Sequence, residues 1–376
     1  MSFFTKYLTA KKTLLFMICG VIVFGLYLYF FVGINQVFLV IQSVNLTNFL
    51  LFYPLAIGTM LLVMLFWVSS WRSLLGKLNV KIGLKNAFLY YWTGYFLDLI
   101  VPCQQVCGEI TRLYLVQKET KGNYGAIGAA GITNRIVAYG VVFTGLTTGV
   151  IYLLIRGKIP AFASYLLILS WVGALAYLGV LLYLALSANA ADKLASIILR
   201  VLKALRIKRF TQDGLSPGLV ASLKSFHEGF EFFRVNPRYL AKPIVFQTIS
   251  YILNLSVYAL VFYSLGFGGL LIDFFILVYF LAGAIQDATS AFSVGGLEIL
   301  LTNLFVFFGI ASATSAVAAA VLRSATFWFP LLMGYIIVQV VGARSLLNPK
   351  VRRKIEAEEK QQTQKFASGE TAPNPA

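Results

Sequence analysis

Six stretches of this chain, 13–34, 47–71, 123–155, 160–187, 243–266 and 312–342, are long and apolar enough to cross a bilayer. A membrane helix needs about 20 predominantly apolar residues. Hydrocarbon offers no water to the backbone, and an α-helix satisfies its own N–H and C=O groups within one segment. The chain therefore reads as an all-α integral membrane protein. Composition agrees: 59% of residues are hydrophobic and only 12% charged, against about 25% charged in a soluble domain. Two further apolar stretches, 86–117 and 270–310, are each interrupted by Pro or Gly.

The positions of Lys and Arg set the topology, because cytoplasmic loops carry the excess. Lys6, Lys11 and Lys12 precede the first span, and Arg72, Lys77, Lys81 and Lys85 follow the second. Ten basic residues lie between 188 and 242, and seven from Arg344 onward. The loops 35–46 and 266–273 have none, and the turn at 156–160 has only Arg156 and Lys158. The net charge of +17 is thus distributed as in a membrane protein, and nucleic acid is not the expected partner. Lys85 and Lys118 flank the first broken stretch on one face, so 86–117 is expected to dip in and return. The second broken stretch starts from the opposite face. The expected architecture is about six full spans plus two re-entrant hairpins related as an inverted repeat, with both termini cytoplasmic. Many transporters follow that plan, with sites at broken helices near the midplane.

The two broken stretches share a pattern. The first copy reads GYFLDLIVPCQQVCGE from Gly94, and the second reads GAIQDATSAFSVGGLE from Gly283. In each, a glycine precedes an aspartate by four (Asp98, Asp287), and a glutamate follows that aspartate by eleven (Glu109, Glu298). An arginine comes 26 residues after Glu109 (Arg135) and 25 after Glu298 (Arg323), behind a run of small residues. A charge at a helix centre costs roughly 2.5–3.5 kcal/mol on insertion scales, so this recurrence needs a reason.

Asp98, Glu109, Asp287 and Glu298 are candidates to line a polar path. The structural alternative is that they pair with arginine or cap half-helices. Arg135 and Arg323 suit phosphate, because a guanidinium fork matches its oxygens. They equally suit a structural carboxylate pair. Four acids outnumber those two arginines, and Arg112 offsets one more if it lies deep enough. Pro102, Gly108, Gly295 and Gly296 are the expected breaks, where backbone turns or approaches closely.

Cys19, Cys103 and Cys107 sit in apolar sequence, so no disulfide framework is expected, and no metal site is expected either. Asn45-Leu46-Thr47 is a sequon on the expected outside face. No phosphate-cradling loop, dinucleotide fingerprint or nucleophile elbow is visible, so no cofactor is expected. The 188–242 loop carries four acids without a DxD-like pair, which counts against an embedded transferase. The chain is therefore expected not to be an enzyme. Residues 1–348 form one transmembrane unit and 349–376 a polar cytoplasmic tail. The loop begins with an amphipathic stretch, Leu194 to Leu205, suited to anionic lipid. A second such stretch contains Leu219, Leu223, Phe226, Phe230 and Phe233. The N-terminal run is read as a retained first span, not a cleaved leader.

The run PCQQVCGEITRLYL from Pro102 resembles a family pattern of Pro followed by Gly-Gly-Glu-x-x-Arg. SVGGLEILLTNLFVFFGI and AAAVLRSATFWFPLLMG resemble the same family's Gly-Gly-Leu–Glu segment and Leu-x-Arg helix. That family is the flippase-like domain, also called the lysylphosphatidylglycerol synthase transmembrane region, and the likeness covers roughly 10–345. It implies a cell-membrane protein that moves a phospholipid or polyprenyl-phosphate-linked headgroup between leaflets. Carried over, Pro102, Gly108, Glu109, Arg112, Gly295, Gly296, Glu298 and Arg323 match its motif positions. Cys107 stands where a glycine is usual, Asn134 where an acid is usual and Ser293 where a proline is usual. Full-length synthase members add a soluble aminoacyl-transfer domain; none is recognisable here, so lipid aminoacylation is expected to be absent. The alternative function is secondary transport of a small anionic solute.

Overall fold

A computed structural model describes residues 18, 21–100, 106–156, 161–186, 217–267, 274–276, 278–279 and 294–346. Every described element is helical. In chain order they are α1 (Val21–Val32), α2 (Ile34–Ser43), α3 (Leu46–Lys77), α4 (Leu84–Ile100), α5 (Val106–Thr120) and α6 (Tyr124–Arg156). Then come α7 (Ala161–Leu186), α8 (Pro217–Val235), α9 (Ala241–Ser264), α10 (Gly296–Phe307), α11 (Ser312–Arg323) and α12 (Phe329–Leu346). A single π turn, Ser324–Trp328, joins α11 to α12.

Four segments are long and apolar enough to span a membrane: Leu46–Lys77, Tyr124–Tyr152, Pro237–Ser264 and Ser312–Val341. These match four of the six expected spans. α7, at 26 residues, occupies the expected 160–187 span, with Trp171–Tyr183 as its described apolar stretch. The first expected span, 13–34, departs from expectation. α1 bends by 93° into α2, which occupies the stretch read as an outer loop. The cause is Gly33, whose φ of 89° and ψ of 106° suit a residue without Cβ. Its N–H closes the π turn at the end of α1 by donating to the Leu28 carbonyl at 2.8 Å. INQVFLVIQS then has enough apolar character to continue as helix.

α3 and α9 form the centre and run antiparallel. Phe52 meets Tyr263, Ser250 donates to the Val63 carbonyl at 3.1 Å, and Phe66 meets Phe246. At the basic end Lys77 lies 4.3 Å from the Tyr239 ring centroid. Asn45 caps α3: its Oδ1 accepts from Thr47 N at 2.9 Å and Asn48 N at 3.2 Å. The main core joins α3, α9, α10 and α11 through Met60, Val257, Phe262, Phe305 and Leu322. Phe262 sits edge-on to Phe274, Phe275 and Phe305, a geometry that suits aromatic quadrupoles.

α4 and α5, which fall in the 86–117 stretch, pack against each other. Tyr91 faces Arg112, and Asp98 faces Gly108. The Trp92 indole donates to the Pro330 carbonyl at 3.1 Å and fastens this pair to α12. The stretch 270–310, expected to form the second hairpin, is described only in part and contains α10. Pro102, the Asp287 stretch, the amphipathic stretch at 194–205 and the tail lie outside the described residues.

α8 corrects a second expectation. Its apolar face is covered by protein, where the sequence suggested a lipid surface: Phe230 is 8% exposed and Phe233 3%. Phe226 and Phe230 pack on Ala129, Ile132 and Ile136 of α6. Small residues permit the approach, since a Cβ on Gly229 would lie 2.7 Å from that of Ala129. Cys107 is disulfide-bonded, contrary to the expectation of no disulfide framework. A disulfide needs a spatial approach of Cβ atoms, and apolar surroundings do not reveal that.

Candidate functional site: two carboxylate–arginine pairs

The first cluster is built on the α4–α5 pair. Tyr91, Gly94 and Asp98 follow i, i+3, i+7 spacing and share one face of α4. Opposite stand Gly108, Glu109 and Arg112 of α5. Gly108 N donates to Asp98 Oδ1 at 2.7 Å. A Cβ on Gly108 would overlap the Asp98 carboxyl, and one on Gly94 would lie 2.6 Å from Arg112 Nε. Both glycines are required by close approach.

Arg112 holds the cluster together. Nη2 donates to Asp98 Oδ2 at 3.1 Å and Nη1 to Glu109 Oε1 at 2.8 Å. Its guanidinium carbon lies 4.0 Å from the centroid of the Tyr91 ring. Arg135, on α6, donates from Nε to the same Glu109 oxygen at 3.1 Å. Two carboxylates therefore meet two arginines. Arg112 is deep, with 4% of its side chain exposed, and removes the charge imbalance among these residues that the sequence left open. Glu109 stands in the first turn of α5, where the helix N-terminus favours an anion.

The second cluster repeats the main part. Glu298 stands in the first turn of α10, and its Oε2 accepts from Gly295 N at 2.7 Å. Gly295 has φ 82°, so a side chain there would be strained. Arg323, the last residue of α11, donates from Nε to Glu298 Oε1 at 3.1 Å. Its guanidinium lies 4.4 Å from the Phe327 ring centroid.

The parallel is close. Arg135 stands eleven residues after Tyr124, which opens α6, and Arg323 eleven after Ser312, which opens α11. The same atoms, Nε and Oε1, meet at 3.1 Å in both pairs. The copies differ in their second cation: three residues after its glutamate, the first has Arg112 and the second Leu301.

Tyr95 is within electrostatic reach of Arg323, Asp98 and Arg112. Tyr258 is within reach of Arg323 and Tyr95. Both tyrosines are partly buried near these charges, and their role is not evident from sequence, where they read as core aromatics. Next to Arg135, Asn134 accepts from Ser70 at 2.6 Å and Gln247 at 3.2 Å, which ties α6 to α3 and α9. Among the described residues, no group of three or more His, Cys, Asp or Glu side chains is placed to hold a metal ion.

A family model described as "Lysylphosphatidylglycerol synthase TM region" matches residues 17–334, which contain both clusters. The chain belongs to this family. No curated protein and no solved structure matches it. As a member of the lysylphosphatidylglycerol synthase TM region family with several apolar spanning helices, it is a multi-pass membrane protein.

Proposed function

We propose that this protein moves a lipid or lipid-linked headgroup between leaflets, along a polar seam between its two Glu–Arg clusters. The observation that carries this reading is the repetition of one buried device in two places. A merely structural salt bridge is weak evidence for stability, because desolvation offsets its Coulomb gain. Building the same costly pair twice, at the same register of corresponding helices, is better accounted for by shared work on a ligand.

The chemistry is exchange of partners without covalent change, so no enzymatic step is involved. Each glutamate holds its arginine in the resting state. A headgroup phosphate replaces the carboxylate and takes the guanidinium in bidentate fashion. Tyr95 and Tyr258, partly buried near these charges, supply hydroxyls that can donate a hydrogen bond. Acyl chains stay in the bilayer while the headgroup passes. The lipid substrate is a phospholipid or a polyprenyl-phosphate-linked sugar.

Two features support an inverted arrangement with two re-entrant stretches in the cell membrane. α3 and α9, which precede the two Glu–Arg clusters in sequence, run antiparallel. Lys77, Arg238 and Lys242 gather at one end of the bundle, consistent with a cytoplasmic face. Both termini are assigned to that face, where anionic lipids meet the 188–242 loop.

The test is leaflet exchange in proteoliposomes carrying lipids with fluorescent phosphate headgroups. Wild-type protein accelerates exchange over empty vesicles, and Glu109→Gln combined with Glu298→Gln abolishes the gain. Exchange unaffected by the double variant contradicts the site. Flux of a small anion without lipid exchange favours the secondary-transporter reading.

A further inference from the structure

The two Glu–Arg pairs share their parts but not their accessibility. The Glu109 side chain is 25% exposed and Arg135 11%, against 6% for Glu298 and 3% for Arg323. Part of the difference lies in α1. A cavity of about 200 Å³ is lined by Glu298, Arg323 and Trp328 together with Val21 and Phe24 of α1. The N-terminal helix therefore forms one wall of the space beside the second pair.

The connection of that wall to the rest of the molecule is unusual. α1 ends in a π turn, Leu28–Val32, and turns through 93° at Gly33. The backbone at Gly33 has positive φ, which only glycine adopts at low cost. The elbow rests on small side chains: Val32 packs with Ala313 and Ala316 of α11, flanked by Leu28, Val37 and Val40. Among the described residues, no hydrogen bond or ion pair ties α1 or α2 to another helix. The outer face of α1 is apolar and exposed at Val23, Leu26, Tyr29 and Phe30. This face can slide through acyl chains without breaking a hydrogen bond or ion pair to another described helix.

A helix with a glycine hinge, an apolar bearing surface and no polar latch can move as a unit. We propose that the α1–α2 elbow is a gate on the Glu298–Arg323 pair. Straightening at Gly33 lifts Val21 and Phe24 away and opens the cavity to an incoming headgroup. The gate controls access to the second pair only, while the first stays accessible. This inference rests on the proposed lipid path for its purpose, but the movement can be measured separately.

The experiment places a reporter, Val294→Cys, in the cavity wall of the full-length protein. Thiol labelling at position 294 is followed by mass spectrometry of the peptide, so the native cysteines do not interfere. Gly33→Ala strains the bend and biases the elbow toward a straight helix. Phe24→Ala removes part of the cover without touching the hinge. Both changes are expected to raise the labelling rate at 294 by roughly threefold or more, as a modest population shift would. Unchanged labelling in both variants overturns the gate. Leaflet exchange of the fluorescent phosphate-headgroup lipid is measured on the same preparations. Raised labelling together with exchange altered by Gly33→Ala supports a gate on a lipid path. Raised labelling with no exchange in any preparation, wild type included, leaves the gate standing and removes the transport reading.

Discussion

Arg112 shows how much one side chain decides. Its fork touches two carboxylates from different helices while its plane covers the Tyr91 ring. Lysine carries the same charge on a compact ammonium and cannot reproduce that fork. Removing one partner from a buried ion pair costs about 3–5 kcal/mol, because the charges left behind are uncompensated. Arg112→Ala is therefore expected to lower the unfolding temperature in detergent markedly, and Arg112→Lys to recover only part of the loss. A variant as stable as wild type would show that the cluster is solvated. Gly108→Ala makes a sterically independent prediction. Its Cβ would overlap Asp98, and overpacking of this kind costs about 1–3 kcal/mol. Thermal unfolding reads it directly, and no loss would mean that α4 and α5 sit further apart.

The helices separate what the sequence displays from what it hides. α3, α6, α9 and the α11–α12 span stand out, because twenty apolar residues in hydrocarbon have few alternatives to helix. The Glu-to-Arg spacing also stands out, because charge in apolar sequence is conspicuous. The bend at Gly33 does not, since one glycine in an apolar run marks a hinge and simple packing alike. The fate of α8 was hidden for another reason. An amphipathic face has the same periodicity against lipid as against protein, and only Gly229 facing Ala129 tells them apart. Tyr91, Tyr95 and Tyr258 read as core aromatics until folding places charges beside them. Phe230→Ala tests the α8 assignment. Truncating a buried Phe costs about 3–5 kcal/mol, so this variant should expose α8 to protease, while a lipid-facing Phe230 would leave cleavage unchanged.

Across the whole molecule, the corresponding elements are α5–α6 and α10–α11, each carrying a glutamate and an arginine at matched positions. The central helices α3 and α9 pack antiparallel. Leu301 in place of a second Arg112, and the cover of α1, make the halves unequal. The first pair is the more exposed and the second the more covered, and on the proposed lipid path opening the α1–α2 elbow makes the second pair accessible as well. If both pairs receive the same headgroup in series, each is indispensable. A charge-assisted hydrogen bond is worth about 1.5–3 kcal/mol, so losing one slows passage roughly tenfold or more.

The most direct measurement is leaflet exchange by Glu109→Gln and Glu298→Gln proteins, singly and combined. Two pairs in series predict that each single change slows exchange severely and that the double variant is little slower than the worse single. Full exchange by either single variant would contradict the claim that both pairs lie on one path.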